Sequence, residues 1–257
     1  MFDTIRGVLY FHFPALLFRR VAKNDRRITE VSYNFADFGD DEAEKLADAL
    51  EGNTSVTVIS FCITQIADRG ATKLAERLKT NSAVKELSMF SNHIADGGAK
   101  KMAEMLAVNK TLKRLDLRVN MITDEGAIKL AEMLRVNETL EDLNLDGNEV
   151  ADGGATKLAE VLRVNKTLKK LSLNINKITA AGASELAQTL QWKNSTLVEL
   201  DLKENFDVIN KLKPDGNLDL SADVEYKIQH LVKINRESPS PEVALQRKAE
   251  KFGTKNK

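Results

Sequence analysis

Three histidines and one cysteine are the side chains of this 257-residue chain best suited to metal or nucleophilic chemistry: His12, His93, His230 and Cys62. A single cysteine excludes an internal disulfide and any metal site with several cysteine ligands. A lone thiol fits a reducing compartment, so we expect a cytoplasmic protein. The glycine pairs at 97–98 and 153–154 do not form a phosphate-binding motif. Whether the histidines can act together depends on the elements that position them.

A repeat of 28 residues sets those positions. Six units share this period, and they begin at Ile28, Val56, Val84, Leu112, Leu140 and Leu168. The sixth unit is longer by one residue near Trp192. A seventh begins at Leu197 and dissolves after Asn205. Units of constant length indicate one structural module used several times.

Each module changes its apolar period midway. Residues 112–117 alternate as LxxLxL, which is typical of a short strand with one buried face. Residues 127–134 carry apolar side chains at i, i+3, i+4 and i+7, which predicts a helix with one apolar stripe. We expect Thr123 or Asp124 to cap the start of this helix and Asn137 to mark its end.

Stacking is the way in which such modules can bury their apolar faces. The strands then pair in parallel, with each helix as the crossover that parallel pairing requires. Because the helix layer is wider than the strand layer, the array should curve, with strands on the concave face and helices on the convex face. The three histidines would lie in the N-terminal segment, a loop and the C-terminal helix. That separation predicts no metal, cofactor or catalytic site.

The pattern LxxLxLxxN followed by AxxLAxxL resembles the ribonuclease-inhibitor-like class of leucine-rich repeats, over residues 28–205. This resemblance implies a right-handed α/β solenoid in the shape of a horseshoe. The stretch "LAEMLAVNKTLKRLDL" is also similar to repeats of tropomodulin and of NOD-like receptors, and the Ran GTPase-activating proteins share the architecture. Because function resides in sites placed on a fold, the resemblance specifies the fold more closely than the activity.

The chain ends are expected to cap the solenoid. Residues 1–27 resemble a half-repeat that covers the first unit, with Leu17 and Val21 in core positions. Peripheral membrane contact is the alternative for this segment, whose run of about twelve apolar residues is too short for stable insertion. Residues 206–238 should supply a C-terminal capping helix, and residues 239–257 a basic, flexible tail.

Two rows of asparagines look functional and have a structural interpretation. The first row should satisfy backbone groups where the strands turn, and it comprises Asn92, Asn120, Asn148, Asn176 and Asn205. The first two units depart from this row with Ala36 and Thr64. The second row matches glycosylation acceptors, which we interpret as by-products of the repeat, at Asn53, Asn109, Asn137, Asn165 and Asn194.

Residues between the buried leucines should face solvent on the strand side and change from repeat to repeat. Val58, Cys62 and Phe90 place apolar groups on this face, and Arg114 and Arg118 stand beside them. An aromatic ring beside arginine is the composition of an interface hot spot. The predicted partner-binding residues are Val58, Cys62, Phe90, Arg114, Asp116, Arg118, Asp142, Asp146, Lys170 and Asn174.

These features favour a non-enzymatic scaffold that binds a protein on the strand face and adjacent loops. The 38 basic and 38 acidic residues cancel, so we expect no nucleic-acid partner, and we expect a monomer. Two alternatives remain from the family resemblance: a GTPase activator like the Ran family, whose acidic C-terminal segment this chain lacks, and an actin-capping module like tropomodulin.

Overall fold

The computed structural model describes residues 14–34, 38–205, 220–238 and 240–252. The strands described in it are β1 Glu30–Asn34, β2 Val58–Cys62, β3 Glu86–Ser88, β4 Arg114–Asp116, β5 Asp142–Asn144, β6 Lys170–Ser172 and β7 Glu199–Asp201. The helices are α1 Pro14–Ala22, α2 Asp40–Ala49, α3 Asp68–Leu78, α4 Asp96–Leu106, α5 Asp124–Leu134, α6 Asp152–Leu162, α7 Ala180–Trp192, α8 Leu220–Glu237 and α9 Pro241–Phe252. The predictions for residues 1–13, Ala36, 206–219 and 253–257 lie outside the described ranges.

The strands form one parallel sheet in the order of the sequence, β1 to β7. Each strand pairs with the same position of the next unit, so Glu86 pairs with Arg114 and Arg114 with Asp142. The inner leucines Leu115 and Leu143 are fully buried beneath the helix layer. The predicted α/β solenoid is confirmed, and the repeat period sets the sheet register.

The first asparagine row connects neighbouring repeats as predicted. Asn120 is buried, and its Nδ2 donates to the carbonyls of Met89 and Leu117, both at 3.0 Å. Its Oδ1 accepts from the backbone N–H of Ile94 at 3.0 Å. One amide therefore satisfies backbone groups in two repeats. In the second unit Thr64 is buried instead and donates its hydroxyl to Oδ1 of Asn92 at 3.0 Å.

The second asparagine row is also buried in the fold. Asn137 donates Nδ2 to the carbonyl of Leu106 at 2.7 Å and accepts at Oδ1 from the N–H of Leu140 at 2.7 Å. These bonds tie the end of α4 to the start of the strand that follows Asn137. Both Nδ2 and Oδ1 of Asn137 are therefore hydrogen-bonded in the folded protein, which supports the structural interpretation of this row.

An aspartate at the first position of most helices links each helix to the next one, and we call this contact the aspartate staple. Asp124 Oδ1 accepts from the backbone N–H of Ala151 at 2.7 Å and of Gly154 at 2.8 Å, in the first turn of α6. Of the two N-cap residues expected for α5, Thr123 is the one that caps the helix, because its hydroxyl accepts from the N–H of Glu125. Equivalent staples start from Asp40, Asp68, Asp96 and Asp152.

Glycine is required at position 154 of α6, whose N–H donates to the aspartate staple. A Cβ at Gly154 would lie 2.9 Å from Oδ1 of Asp124 and 2.7 Å from Cγ1 of Val150. Neither contact leaves room for a methyl group. The second glycine of the 153–154 pair thus permits close packing of α5 against α6.

The described part of the N-terminal segment packs on the first repeat. Leu17 and Val21 of α1 are fully buried, and Nδ2 of Asn53 donates to the carbonyl of Val21 at 2.7 Å. This packing supports our proposal that the segment acts as a cap. Within the described ranges, no helix combines the length and apolarity needed to cross a membrane.

At the other end, α8 covers the exposed edge of the sheet. Gln229 Nε2 donates to the carbonyl of Leu200 at 3.1 Å, and Arg236 Nη2 to the carbonyl of Val198 at 2.9 Å. Among the described residues no strand follows β7, and side chains of α8 bond the carbonyls of Leu200 and Val198 instead. An edge strand that is covered in this way is protected from pairing with another chain.

The prediction of a flexible tail is wrong for residues 241–252, which form α9. This helix packs against α7 and α8, with Ala244 and Lys248 buried. Lys248 Nζ donates to the carbonyls of Leu190 and Asn194, at 2.6 and 2.5 Å. The C-terminal carbonyls of a helix attract a cation, so a lysine that looks solvated in the sequence becomes an anchor.

Candidate partner-binding surface

The sheet brings the ten predicted partner-binding residues onto one side, which we call the strand face. The register places Arg114, Asp142 and Lys170 in one row across β4, β5 and β6. Beyond the strand ends the ladder continues, because the N–H of Val119 donates to the carbonyl of Asp146 at 2.7 Å. Strand-face residues 28 positions apart therefore lie in rows across the fold.

The apolar end of the strand face is formed by Cys62 and Phe90, which are both partly exposed. Val58 is also partly exposed, but it pairs with Glu86 at the other end of β2. The guanidinium carbon of Arg118 lies 5.0 Å from the centroid of the Phe90 ring. This distance is within the range of a cation–π contact. Cys62 Sγ lies 3.4 Å from Oγ of Ser60. An aromatic ring covered on one side by arginine thus lies beside Cys62 of the preceding repeat.

Asp116 is the residue of the strand face whose exposure was predicted wrongly from the sequence. We expected an exposed carboxylate, but Asp116 is only 8% exposed. Arg118 folds back over it, with Nε 2.9 Å from Oδ1 and Nη2 2.7 Å from Oδ2. Ser88 Oγ donates to Oδ2 at 3.2 Å. The hydrogen bonds from the guanidinium to Asp116 raise the pKa of Arg118, which remains cationic.

Asp116 therefore holds Arg118 in place rather than meeting a partner itself. A bidentate pair of this kind fixes the guanidinium plane, and the plane lies over Phe90. Arg118 stands opposite Asp146 of the next repeat, since the N–H of Val119 bonds the carbonyl of Asp146, but its ion pair is with Asp116 of its own repeat.

A ladder of alternating charge occupies the amino-terminal ends of the central strands. Arg114 bonds Glu86 through Nη1 at 3.0 Å and Asp142 through Nε at 3.2 Å. Lys170 pairs with Glu199 at 2.8 Å. Burial raises the pKa of Asp142 although Arg114 and Lys170 oppose that rise. These charges are matched within the protein, so this part of the face carries little net field.

Asp146 and Asn174 bind one another across neighbouring repeats. Asp146 Oδ1 accepts from the backbone N–H of Asn174 at 2.7 Å, and Oδ2 from its side-chain amide at 3.3 Å. Asn174 Oδ1 in turn accepts from the N–H of Lys203 at 2.6 Å. Burial raises the pKa of Asp146. Much of the hydrogen-bonding capacity of these two side chains is used inside the fold.

A row of exposed residues beside the strand face was not singled out from the sequence. Ile63, Val119 and Ile175 each follow a strand-face residue, and they are 40%, 46% and 55% exposed. Their backbones have positive φ, at 58°, 53° and 52°. The available signal was an apolar residue one place before the position of the ladder asparagine, where a polar residue or glycine would adopt positive φ at a lower energetic cost.

No group of three or more His, Cys, Asp or Glu side chains among the described residues is arranged to hold a metal ion. His93 lies in a loop after β3 and His230 on α8. His230 stacks near Tyr226, with ring centroids 4.3 Å apart. His12 lies outside the described ranges. The structure does not bring the two described histidines to the strand face.

Two family models match the sequence. The model described as "TMOD/LMOD Leucine-rich domain" matches residues 16–117, and the model described as "Leucine Rich repeat" matches residues 108–131, 136–159 and 164–187. A search of curated proteins gave no match.

Three solved structures are similar to this chain at low identity. "Leiomodin-1 Actin-Binding Site 2" is 20% identical, over 95% of this chain and 98% of that one, with a TM-score of 0.41. The Caenorhabditis elegans tropomodulin C-terminal domain is 13% identical, over 91% and 97%, with a TM-score of 0.39. Pollen Receptor Kinase 3 is 15% identical, over 65% and 71%, with a TM-score of 0.36.

Proposed function

We propose that this chain, a leucine-rich-repeat protein as its repeats and the family models show, is a non-enzymatic module that binds a partner protein on its strand face. The observation that carries the proposal is the pair formed by Phe90 and Arg118. The ring is partly exposed, and the guanidinium is held over it by the ion pair with Asp116. We place the protein in the cytoplasm as a monomer.

Phe90 and Arg118 have the properties of a binding hot spot. Aromatic residues and arginine dominate the binding energy of interfaces, especially when less important contacts surround them and exclude water. Cys62 supplies an apolar neighbour in the preceding repeat, where the N–H of Ile63 donates to the carbonyl of Phe90. Because Asp116 already orients Arg118, little side-chain entropy remains to be lost on binding.

The charged ladder plays a different part in the proposal. Its ion pairs are largely exposed and satisfied within the chain, so each contributes little to affinity. Mixed signs along one row exclude partners of the wrong charge pattern and set the register of the correct one. Affinity would then come from the apolar end and orientation from the ladder.

The test compares the proteins that immobilised variants retain from a cytoplasmic extract, quantified by mass spectrometry. Phe90→Ala should lose a specific partner at least ~10-fold, the typical effect of removing a hot-spot side chain. The matched control is Val136→Ala, which shortens an apolar side chain that is 57% exposed away from the strand face. Equal retention of every protein by wild type and Phe90→Ala would contradict the proposal.

Actin is a second candidate partner, and the match of residues 16–117 to the TMOD/LMOD domain model favours it. In this version the strand face contacts an actin subunit at a filament end. Pyrene-actin elongation should then slow in the presence of wild-type protein and recover with Phe90→Ala. Unchanged elongation at micromolar wild-type protein would exclude binding to actin filament ends. The proposal that the strand face binds a partner protein would then be decided by the extract experiment.

A further inference from the structure

The first helix of the solenoid presents a cationic face to solvent. Residues 14–27, which form α1 and the loop after it, contain five basic residues and one acid, Asp25. Three of the basic side chains are exposed and make no ion pair with any described residue: Arg19, Lys23 and Arg26. We define these three residues and exposed Leu16 as the cap face.

Helical spacing places Leu16, Arg19 and Lys23 on the same side of α1, at i, i+3 and i+7. The helical turn reaches Lys23, whose N–H donates to the carbonyl of Arg19 at 3.2 Å. The other exposed residues of α1 are alanines, at positions 15 and 22. Because α1 contains no acid and these exposed neighbours are small, a flat anionic surface can approach the cap face closely.

The one acid of the segment is already bonded by two other arginines. Arg20 Nη2 lies 2.8 Å from Oδ2 of Asp25, and Arg27 Nη2 lies 2.9 Å from the same oxygen. The Asp25 side chain is only 16% exposed. Asp25 therefore does not neutralise the cap face, and residues 14–27 carry a net charge of +4.

The neighbouring helix α2 is rich in acids, but cations of α3 pair with them. Arg69 pairs with Asp41 and, at 2.9 Å, with Glu44. Arg77 pairs with Glu51, which follows α2, at 3.2 Å. Among the described residues, no cation of α1 forms an ion pair with α2. The acids beside α1 are thus matched within the protein, whereas the cations of the cap face are not.

The composition of the cap face matches an anionic lipid surface. Groups of about four to eight Lys or Arg on an amphipathic helix are typical of segments that bind anionic headgroups. Leu16 is 54% exposed among these cations, where it can enter the boundary between headgroups and acyl chains. A single-stranded nucleic acid would require aromatic rings for stacking, and the cap face has none.

We propose that the cap face binds the anionic surface of a membrane, with Arg19, Lys23 and Arg26 against the lipid headgroups. The buried side of α1 would then cap the solenoid while its exposed side attaches the protein to the membrane. The cap face belongs to the helix layer, whereas Phe90 and Arg118 lie on the sheet side. Attachment would therefore leave the strand face free, and this inference does not depend on the proposed function.

The test is co-sedimentation of the full-length protein with phosphatidylcholine vesicles that contain about 30% phosphatidylserine. Wild-type protein should bind these vesicles, and binding should weaken as salt is raised. Each cation near an anionic surface raises the partition coefficient about fivefold, so Arg19→Gln, Lys23→Gln and Arg26→Gln together should lower it ~100-fold. Leu16→Ser should weaken binding without changing its dependence on salt, because it removes only the apolar contact.

The matched control neutralises three exposed cations of the middle repeats that also make no ion pair with a described residue. It combines Lys100→Gln, Lys110→Gln and Arg135→Gln, which change the net charge by the same amount. This variant should bind vesicles within about twofold of wild type, because only charges close to the membrane act through the salt-screened solution. Phe90→Ala should bind them as wild type does.

Two measurements separate binding from folding. Both triple variants should unfold within about 2 °C of wild type, because exposed unpaired side chains contribute little to stability. Arg19→Lys with Arg26→Lys keeps the charge and should retain binding within about twofold, since the attraction to the surface depends on charge.

Several results would overturn the inference. These are the absence of binding to the anionic vesicles, equal binding to vesicles of phosphatidylcholine alone, an equal loss in the control variant, or loss of vesicle binding by Phe90→Ala. Binding to poly(U) RNA and not to vesicles would also overturn it, and would make a nucleic acid the partner of the cap face.

Discussion

Replacing Asp124 by alanine should destabilise the protein by about 2–3 kcal/mol, because the aspartate staple from α5 to α6 would be lost. Asp124 Oδ1 accepts from two backbone N–H groups in the first turn of α6, at 2.7 and 2.8 Å. Hydrogen bonds to charged groups contribute about 1.5–3 kcal/mol, and loss of a helix cap costs roughly 0.5–2 kcal/mol. Asp124 is partly exposed, so water replaces some of this loss.

Urea unfolding followed by circular dichroism measures the change. Asp124→Asn keeps an acceptor oxygen and should lose only about 1 kcal/mol, mainly from the charge at the helix N-terminus. Glu125→Ala, a neighbouring exposed acid, is the matched control and should change stability by less than about 1 kcal/mol.

A double-mutant cycle makes the test stricter. Gly154→Ala alone should be strongly destabilising, since its Cβ would lie 2.9 Å from Oδ1 of Asp124. In the Asp124→Ala background part of that cost should disappear, although Val150 still crowds the site. Additive effects of the two substitutions, or a loss for Asp124→Ala no larger than that for Glu125→Ala, would refute the staple.

Three further outcomes follow from buried or paired polar groups. Asn148→Ala should cost about 3 kcal/mol or more in urea unfolding, because buried backbone groups of two repeats lose their partner; a loss below 1 kcal/mol would contradict this. Burial lowers the pKa of Lys248 to about 7, with Lys166 as a secondary cause, so the folded state binds fewer protons than the unfolded state above that pH. Stability should therefore rise from pH 7 towards 10 relative to Lys248→Met, and parallel pH profiles would contradict it. Hydrogen bonds from Lys113 and a second lysine lower the pKa of Glu141 to about 2. Because the Glu141 carboxylate is partly exposed, Glu141→Gln should nevertheless destabilise the protein by less than about 1 kcal/mol. A larger loss of stability in thermal unfolding would contradict this.

Periodicity was sufficient to predict the repeats, the sheet register and the buried asparagines. Each of these depends on positions that recur every 28 residues, and a recurring position must occupy a recurring environment in a solenoid. Asn120 could be interpreted as structural because a buried amide is the simplest partner for the backbone groups that each repeat leaves unpaired, whereas the row of Asn137 was interpreted only as a by-product of the repeat and its hydrogen bonds required the structure.

The features that were missed involve contacts that sequence distance conceals. Asp124 stands at the start of a helix and looks like a favourable acid for that helix, but its bonds go to the next one. Asp116 looks exposed in an alternating strand, but Arg118 two residues later folds over it. Lys248 belongs to a basic segment, and only the position of α7 turns it into a buried anchor.

The strand face could be predicted as a surface but not as a set of contacts. The alternation of apolar residues along a strand specifies which side a residue faces, and it was sufficient to predict Phe90 and Arg118 on the strand face. Alternation does not specify which charges pair, so the bond between Arg114 and Glu86 and the contact between Arg118 and Asp116 required the structure. The left-handed backbone at Val119 was likewise invisible, because φ depends on the ladder between repeats.

Site-specific photo-crosslinking shows which surface of the protein touches its partner in cells. A photo-reactive phenylalanine analogue is placed at Phe90 on the strand face and, as the control, at exposed Val136. We predict that the Phe90 position captures a discrete partner protein in cells and that the Val136 position does not. Partner binding on the strand face would be contradicted if both positions captured the same proteins. It would also be contradicted if a partner confirmed by other means crosslinked at Val136 and not at Phe90.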